Sequence, residues 1–174
     1  MGIGIQICGL NGSGKSTLGK ALAERMGFHF IDNENLYFSR PNTDEPYVNP
    51  KSRTEVERLL MEEVSKHPDF VFSAVKGDYG KDIILMYNYV ILIEVPKEIR
   101  SQRVRNRSFQ KFGSRMLIGG DLYCQEETFF QMVDSRQDNY IANWLQKVPC
   151  PIIRVDGTNP IEDNVEYILQ AIER

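Results

Sequence analysis

Gly9-Leu10-Asn11-Gly12-Ser13-Gly14-Lys15-Ser16-Thr17 fits the pattern G-x-x-x-x-G-K-[ST], and its surroundings give the match its meaning. Ile3, Ile5 and Ile7 alternate ahead of it as a short buried strand, and Leu18, Ala21 and Leu22 follow at helical spacing. Strand, glycine-rich turn and helix in that order make a phosphate-binding loop. The glycines leave the backbone free to turn its N–H groups inward from Asn11, Gly12, Ser13 and Gly14, and the helix adds the positive end of its dipole. Lys15 would reach the β- and γ-phosphates of a polyphosphate as a point charge. Ser16 would ligate Mg²⁺ through its hydroxyl, with Thr17 a hydrogen-bonding group beside it.

The 174 residues suit one domain, 1–174, with 41% hydrophobic residues for a core and 26% charged residues for a polar surface. No apolar run reaches the ~20 residues of a membrane span, and no signal peptide precedes the first strand, so a cytoplasmic protein without membrane partners is expected. Three widely spaced cysteines suit reduced thiols rather than a disulfide framework or zinc site. The net charge of −3 argues against general nucleic-acid binding, although six Lys or Arg and no acid lie between Arg100 and Arg115.

Along the chain, the first helix ends at Gly27 and Phe28–Ile31 reads as a second strand closing on Asp32-Asn33-Glu34. Acids at a strand's carboxyl end either hold Mg²⁺-bound water and accept a proton or simply cap a solvated turn. Residues 35–50 carry Pro41, Pro46 and Pro50 and read as a surface excursion, in which Tyr37, Phe38, Arg40 and Tyr47 either cover a substrate or stand as exposed loop residues. Val56, Leu59, Leu60 and Val64 mark a helix, and Phe70–Val75 a strand followed by Lys76-Gly77-Asp78, with Asp78 a second base or metal candidate. Tyr89–Val95 is the strongest strand, and its Glu94 loosely resembles the acid that ends a Walker B strand.

From Pro96 a helix puts Arg103 and Arg107 on one face, either around an anion or as an exposed basic surface. Phe112–Asp121 reads as a loop. Gln125–Gln146 reads as one helix with Phe129, Val133, Tyr140 and Trp144 in a stripe that includes Arg136, which needs a carboxylate or a phosphate as partner. A last strand, Pro151–Val155, leads through Asp156-Gly157-Thr158-Asn159-Pro160 into a final helix. Five strands alternating with helices predict a doubly wound α/β domain.

These residues resemble the P-loop small-molecule kinases of the nucleoside monophosphate kinase group, the adenylate kinase-like and shikimate kinase-like proteins. The likeness rests on Gly9–Thr17, on Asp32-x-Glu34 as the acidic pair after the second strand, on Arg103 and Arg107 as lid arginines, and on Asp156–Pro160 as the loop that packs against adenine. It implies a three-layer P-loop NTPase fold with a five-stranded parallel sheet in the order 2-3-1-4-5. It also implies a substrate-binding insertion at about 35–68 and a lid at about 108–124.

The expected activity is transfer of the γ-phosphoryl group of Mg·ATP to a small-molecule acceptor. Lys15, Asp32, Arg103, Arg107 and Arg136 would be catalytic, Gly157 and Thr158 would join the loop in holding ATP, and Ser16 and Asp32 would hold Mg²⁺. Asp32, Glu34, Lys76 and Asp78 would face the acceptor. A nucleotide-binding regulator with little transfer is the other function class. Ser73 stands where adenylate kinases carry an acid, and Lys76-Gly77-Asp78 where shikimate kinases carry a glycine triplet, so neither acceptor pocket is implied.

Overall fold

Ile5 and Ile7 point to one face of the first strand and Gln6 and Cys8 to the other, and all four are fully buried. A strand apolar on both faces belongs in the middle of a parallel sheet. In the computed structural model, which describes residues 2–38, 50–137 and 139–173, β1 (Gly4–Cys8) pairs in parallel with β3 (Phe70–Ser73) and β4 (Tyr87–Glu94). Outside these lie β2 (His29–Asp32) and β5 (Ile152–Asp156), giving the expected order β2-β3-β1-β4-β5.

Helices cover both faces because each strand alternates. Ile5, Ile7, Val71, Ile91 and Ile93 meet Leu18 and Leu22 of α1 (Lys15–Met26) and Val165 and Ile168 of α8 (Ile161–Ile172). Phe70, Phe72, Val90 and Leu92 meet Val56, Leu60 and Val64 of α3 (Arg53–Lys66), with Ile141, Trp144 and Leu145 of α7 (Asn139–Leu145) in the same core. The ends are set locally: Gly27 closes α1 with a left-handed φ of 70°, and the Ser52 hydroxyl accepts the Glu55 N–H at 3.2 Å to open α3. Two short helices, α2 (Asn33–Tyr37) and α4 (Lys81–Ile84), follow β2 and β3.

A third apolar cluster lies off the sheet. Val104 and Phe112 of α5 (Lys97–Phe112) pack with Met116, Leu122 and the Phe130 and Val133 side chains of α6 (Tyr123–Ser135). This cluster corrects two expectations. The stretch read as a loop after Phe112 contains a 3₁₀ helix, Gly113–Met116, because buried Phe112 and Met116 draw it onto α6. The helix expected from Gln125 to Gln146 breaks after Ser135, since Val133 belongs to this cluster and Trp144 to the sheet core, and one straight helix cannot serve both. Tyr140 of the expected stripe is exposed. Of the covering segment, Tyr37 and Phe38 follow β2 directly, whereas Arg40 and Tyr47 lie outside the described residues.

Phe72 is fully buried in the inner strand β3 and meets the Tyr79 ring edge-on at 5.4 Å between centroids. Truncation there removes buried area and leaves a cavity between sheet and α3. Phe72→Ala is expected to cost about 3–5 kcal/mol of unfolding free energy in urea denaturation, and a loss under 1 kcal/mol would show that this side of the sheet is loosely packed.

Candidate functional site

The phosphate loop joins β1 to α1 at the carboxyl edge of the sheet, and its backbone is held from above by α5. At Gly12, φ is 81° and a Cβ would lie 2.4 Å from the Arg100 carbonyl oxygen, so only glycine fits. Arg100 is itself buried and donates from Nε to the Val95 carbonyl at 2.9 Å. One turn on, Arg103 donates from both terminal nitrogens to the Gly157 carbonyl at 3.1 Å and reaches the Gly12 carbonyl at 3.4 Å. The half-buried Lys15 donates from Nζ to the Leu10 carbonyl at 3.1 Å.

Two recesses share the loop as a wall. The first, the main cleft, of about 420 Å³, is lined by Asn11, Gly12, Lys15 and Ser16 of the loop, by Asp32 at the end of β2 and Glu34 beyond it, by Arg107 of α5 and by Arg136. Asp32 does both things the sequence left open: its Oδ1 accepts the Glu34 N–H at 3.0 Å and caps α2, and it lines the cleft. Arg136 does not ride on the helical stripe. It is the residue at which α6 ends, and that exit turns its guanidinium to the Asn11 side-chain oxygen at 2.6 Å and over the Tyr140 ring at 5.3 Å.

The second recess is lined by Ser13, Gly14, Thr17, Arg103, Gly157 and Thr158, among others. Its turn is fixed by Asp156, whose Oδ1 accepts the Thr158 N–H at 2.8 Å and hydroxyl at 2.6 Å, bonds that hold this carboxyl below its usual range. Arg103 and Arg107, adjacent on α5, therefore serve different recesses. Lys76 and Asp78 stand in a smaller hollow that shares Asn33, Tyr37 and Arg136 with the main cleft. There Asp78 lies 3.9 Å from Arg53 and 4.0 Å from Lys76. Glu94 is elsewhere, exposed and paired with Arg154 at 2.9 Å, so the Walker B likeness is not matched by its position.

Sequence reasoning missed Ser73 and Glu126, both buried and both lining the main cleft with side-chain oxygens that have no hydrogen-bond partner among the described residues. Ser73 was findable, because it is the register partner of Asp32 at the same sheet edge. Glu126 gives no such signal within an acidic, polar helix start. Among the described residues, His29, Glu63 and His67 bring ligand-type atoms within 4.8 Å of one another at the opposite, amino end of β2. The two imidazoles stack at 3.9 Å and 19°, so their in-plane lone pairs do not converge on one ion.

Burial pushes the Lys15 ammonium down from 10.5 to about 8, and the nearby Arg107 charge adds to the fall while Asp32 opposes it. Because the native value lies below the unfolded one, the unfolded chain binds the extra proton between about 8 and 10.5, and stability contributed by this group rises with pH across that window. Lys15→Met should flatten that rise relative to wild type in denaturant titrations at several pH values. Parallel slopes in both proteins would show that Lys15 titrates normally.

A family model described as AAA domain matches residues 5–113, from β1 to the end of α5. Over its whole length the chain is 25% identical to "Uncharacterized protein YqaC" of Bacillus subtilis (strain 168), covering 97% of this chain and 96% of that one. It is also 25% identical to "Adenylate kinase isoenzyme 6 homolog" of Caenorhabditis elegans, covering 95% and 87%. In three dimensions it resembles a shikimate kinase from Acinetobacter baumannii, with a TM-score of 0.61 at 20% identity over 99% of this chain and 93% of that one. A gluconokinase from Sinorhizobium meliloti 1021 follows at 0.58 and 18%, covering 94% and 87%. The match over residues 5–113 and the shared parallel sheet agree with the phosphate loop, and the chain belongs to the AAA domain family of P-loop proteins, with the fold of the P-loop small-molecule kinases.

Proposed function

We propose that the protein is an ATP-dependent kinase that moves the γ-phosphoryl group of Mg·ATP to a hydroxyl or phosphate of a small molecule. The observation that carries this reading is the loop's place as a common wall. Ser13 and Gly14 face the recess of Gly157 and Thr158, suited to the nucleoside end, while Lys15 and Ser16 face the main cleft that holds Asp32, Arg107 and Arg136. A triphosphate laid along Asn11–Thr17 would present its last phosphate to that cleft.

The residues fit a hard divalent cation. The Ser16 hydroxyl makes no hydrogen bond among the described residues, and Asp32 has a second carboxylate oxygen beyond the one that caps α2. Bound Mg²⁺ would neutralise charge between the terminal phosphates. Lys15, Arg107 and Arg136 offset the charge that spreads over the phosphoryl oxygens, and such preorganised donors are the main lever in this chemistry. As the acceptor oxygen bonds to phosphorus and the bond to the departing ADP breaks, Asp32 takes the proton of an acceptor hydroxyl.

Glu34, Lys76 and Asp78 lie on the acceptor side. Residues about 35–68 and 108–124 act as substrate-binding insertion and lid, closing the cleft to water. Relatives and structural neighbours carrying the words adenylate, shikimate and gluconokinase support phosphoryl transfer in general, and their different acceptors leave this one to be found by assay.

Wild type is expected to bind Mg·ATP at one site, and Lys15→Ala to lose both binding and turnover in calorimetry and transfer from labelled ATP to a metabolite panel. In the same panel Asp32→Asn should lower kcat by ~10²-fold or more with ATP affinity kept, whereas Asp78→Asn stays near wild type. A slow Asp78→Asn beside a normal Asp32→Asn would reassign the base. ATP binding with transfer to no compound would point to a nucleotide-dependent regulator instead.

A further inference from the structure

Glu126 sits in the first turn of α6, is 1% exposed, and neither carboxylate oxygen has a hydrogen-bond partner among the described residues. It nevertheless lines the main cleft, beside Phe129 and Met132 of its own helix and opposite Arg107. A carboxylate withdrawn from water without partners is among the costliest groups a fold can hold, and the helix N-terminus offsets only a little of that cost. A partner is therefore missing, and the surroundings limit where it comes from.

Among the described residues, two of the nearby cations are committed to other groups. Arg105 faces Glu127 at 3.4 Å, Asp134 at 3.6 Å and the Phe130 ring at 4.4 Å, and Arg136 is bonded to Asn11. Arg107 lines the same cleft, and no hydrogen bond joins it to Glu126. The remaining source is the cleft itself.

We propose that Glu126 recognises the phosphoryl acceptor through two adjacent hydrogen-bond donors, taken in a bidentate grip by its two oxygens. The inference rests on the reading of the main cleft as the acceptor site. Adjacent donors of this kind come from the N–H edge of a planar heterocycle or from a vicinal diol. Tyr37, Phe38 and Phe129 line the same cleft and offer apolar faces against which either ring would lie. The grip also selects by exclusion, because a ligand lacking the pair leaves the buried carboxylate unpaired.

The test compares wild type, Glu126→Gln and Glu126→Asp in thermal melts and in equilibrium binding, with a non-hydrolysable ATP analogue present. The probes are 2′-deoxyguanosine monophosphate for the N–H edge, gluconate and shikimate for the diol, and 2′-deoxyadenosine and 2′-deoxyinosine monophosphates as controls with neither adjacent base donors nor a vicinal diol. Expected is a ligand-free Glu126→Gln that melts roughly 2–4 °C above wild type. Expected too is one paired-donor class that binds wild type and weakens roughly 10-fold or more in Glu126→Gln, with Glu126→Asp between.

A ligand-free melt below wild type would show that Glu126 is paired within the protein and would overturn the proposal. So would paired-donor compounds that bind neither protein or bind both equally. Absence of transfer from ATP to any compound would reject the kinase reading alone, since melts and binding do not depend on turnover.

Discussion

The contact on which the arrangement depends is that between the loop backbone at Gly12 and the carbonyl of Arg100. There is no space between them for a methyl group, so α5 lies against the loop at a fixed height. That height decides what the helix delivers. Arg103 falls level with the Gly157 turn and Arg107 with the mouth of the main cleft, four residues and roughly one 5.4 Å turn further on. A single steric constraint thus distributes two like-charged side chains between two chambers and removes much of the repulsion expected of an i,i+4 pair.

Charge in the main cleft is balanced rather than purely basic. Lys15, Arg107 and Arg136 face Asp32, Glu34 and Glu126 across about 420 Å³. Opposed signs in one cavity keep the ligand-free protein from strong self-repulsion, and a bound anion tips the balance to one side of the cavity. The depressed Lys15 reports the same competition, since burial and Arg107 prevail there over Asp32.

The fold was legible because its signals are local and repeated. A loop motif between strand and helix, five apolar strands and amphipathic helices between them leave little freedom in topology. The loop side of the site was legible for the same reason: Asn11 to Thr17, with Gly157 and Thr158, follow from motif and strand order. The far side of the main cleft was not. Arg136 reaches Asn11 because α6 ends where two separate cores compete for one apolar stripe, which is a property of the packed molecule. Glu126 stands in a helix start whose composition matches any solvated turn, and its burial comes from α5, many residues earlier in the chain. Glu94 shows the converse, a residue with a suggestive pattern whose side chain is exposed and paired with Arg154.

The bond between Arg136 and Asn11 makes the loop and α6 one mechanical unit before any ligand arrives. A phosphate settling on the loop would offer the guanidinium a charged acceptor in place of a neutral amide oxygen, a trade of one hydrogen bond for a stronger one. The count of bonds is conserved through the exchange, so α6 need not come loose in order to respond. Whatever moves with that helix is therefore steered by occupancy of the loop through a swap of partners, without a period in which the arginine is unbound.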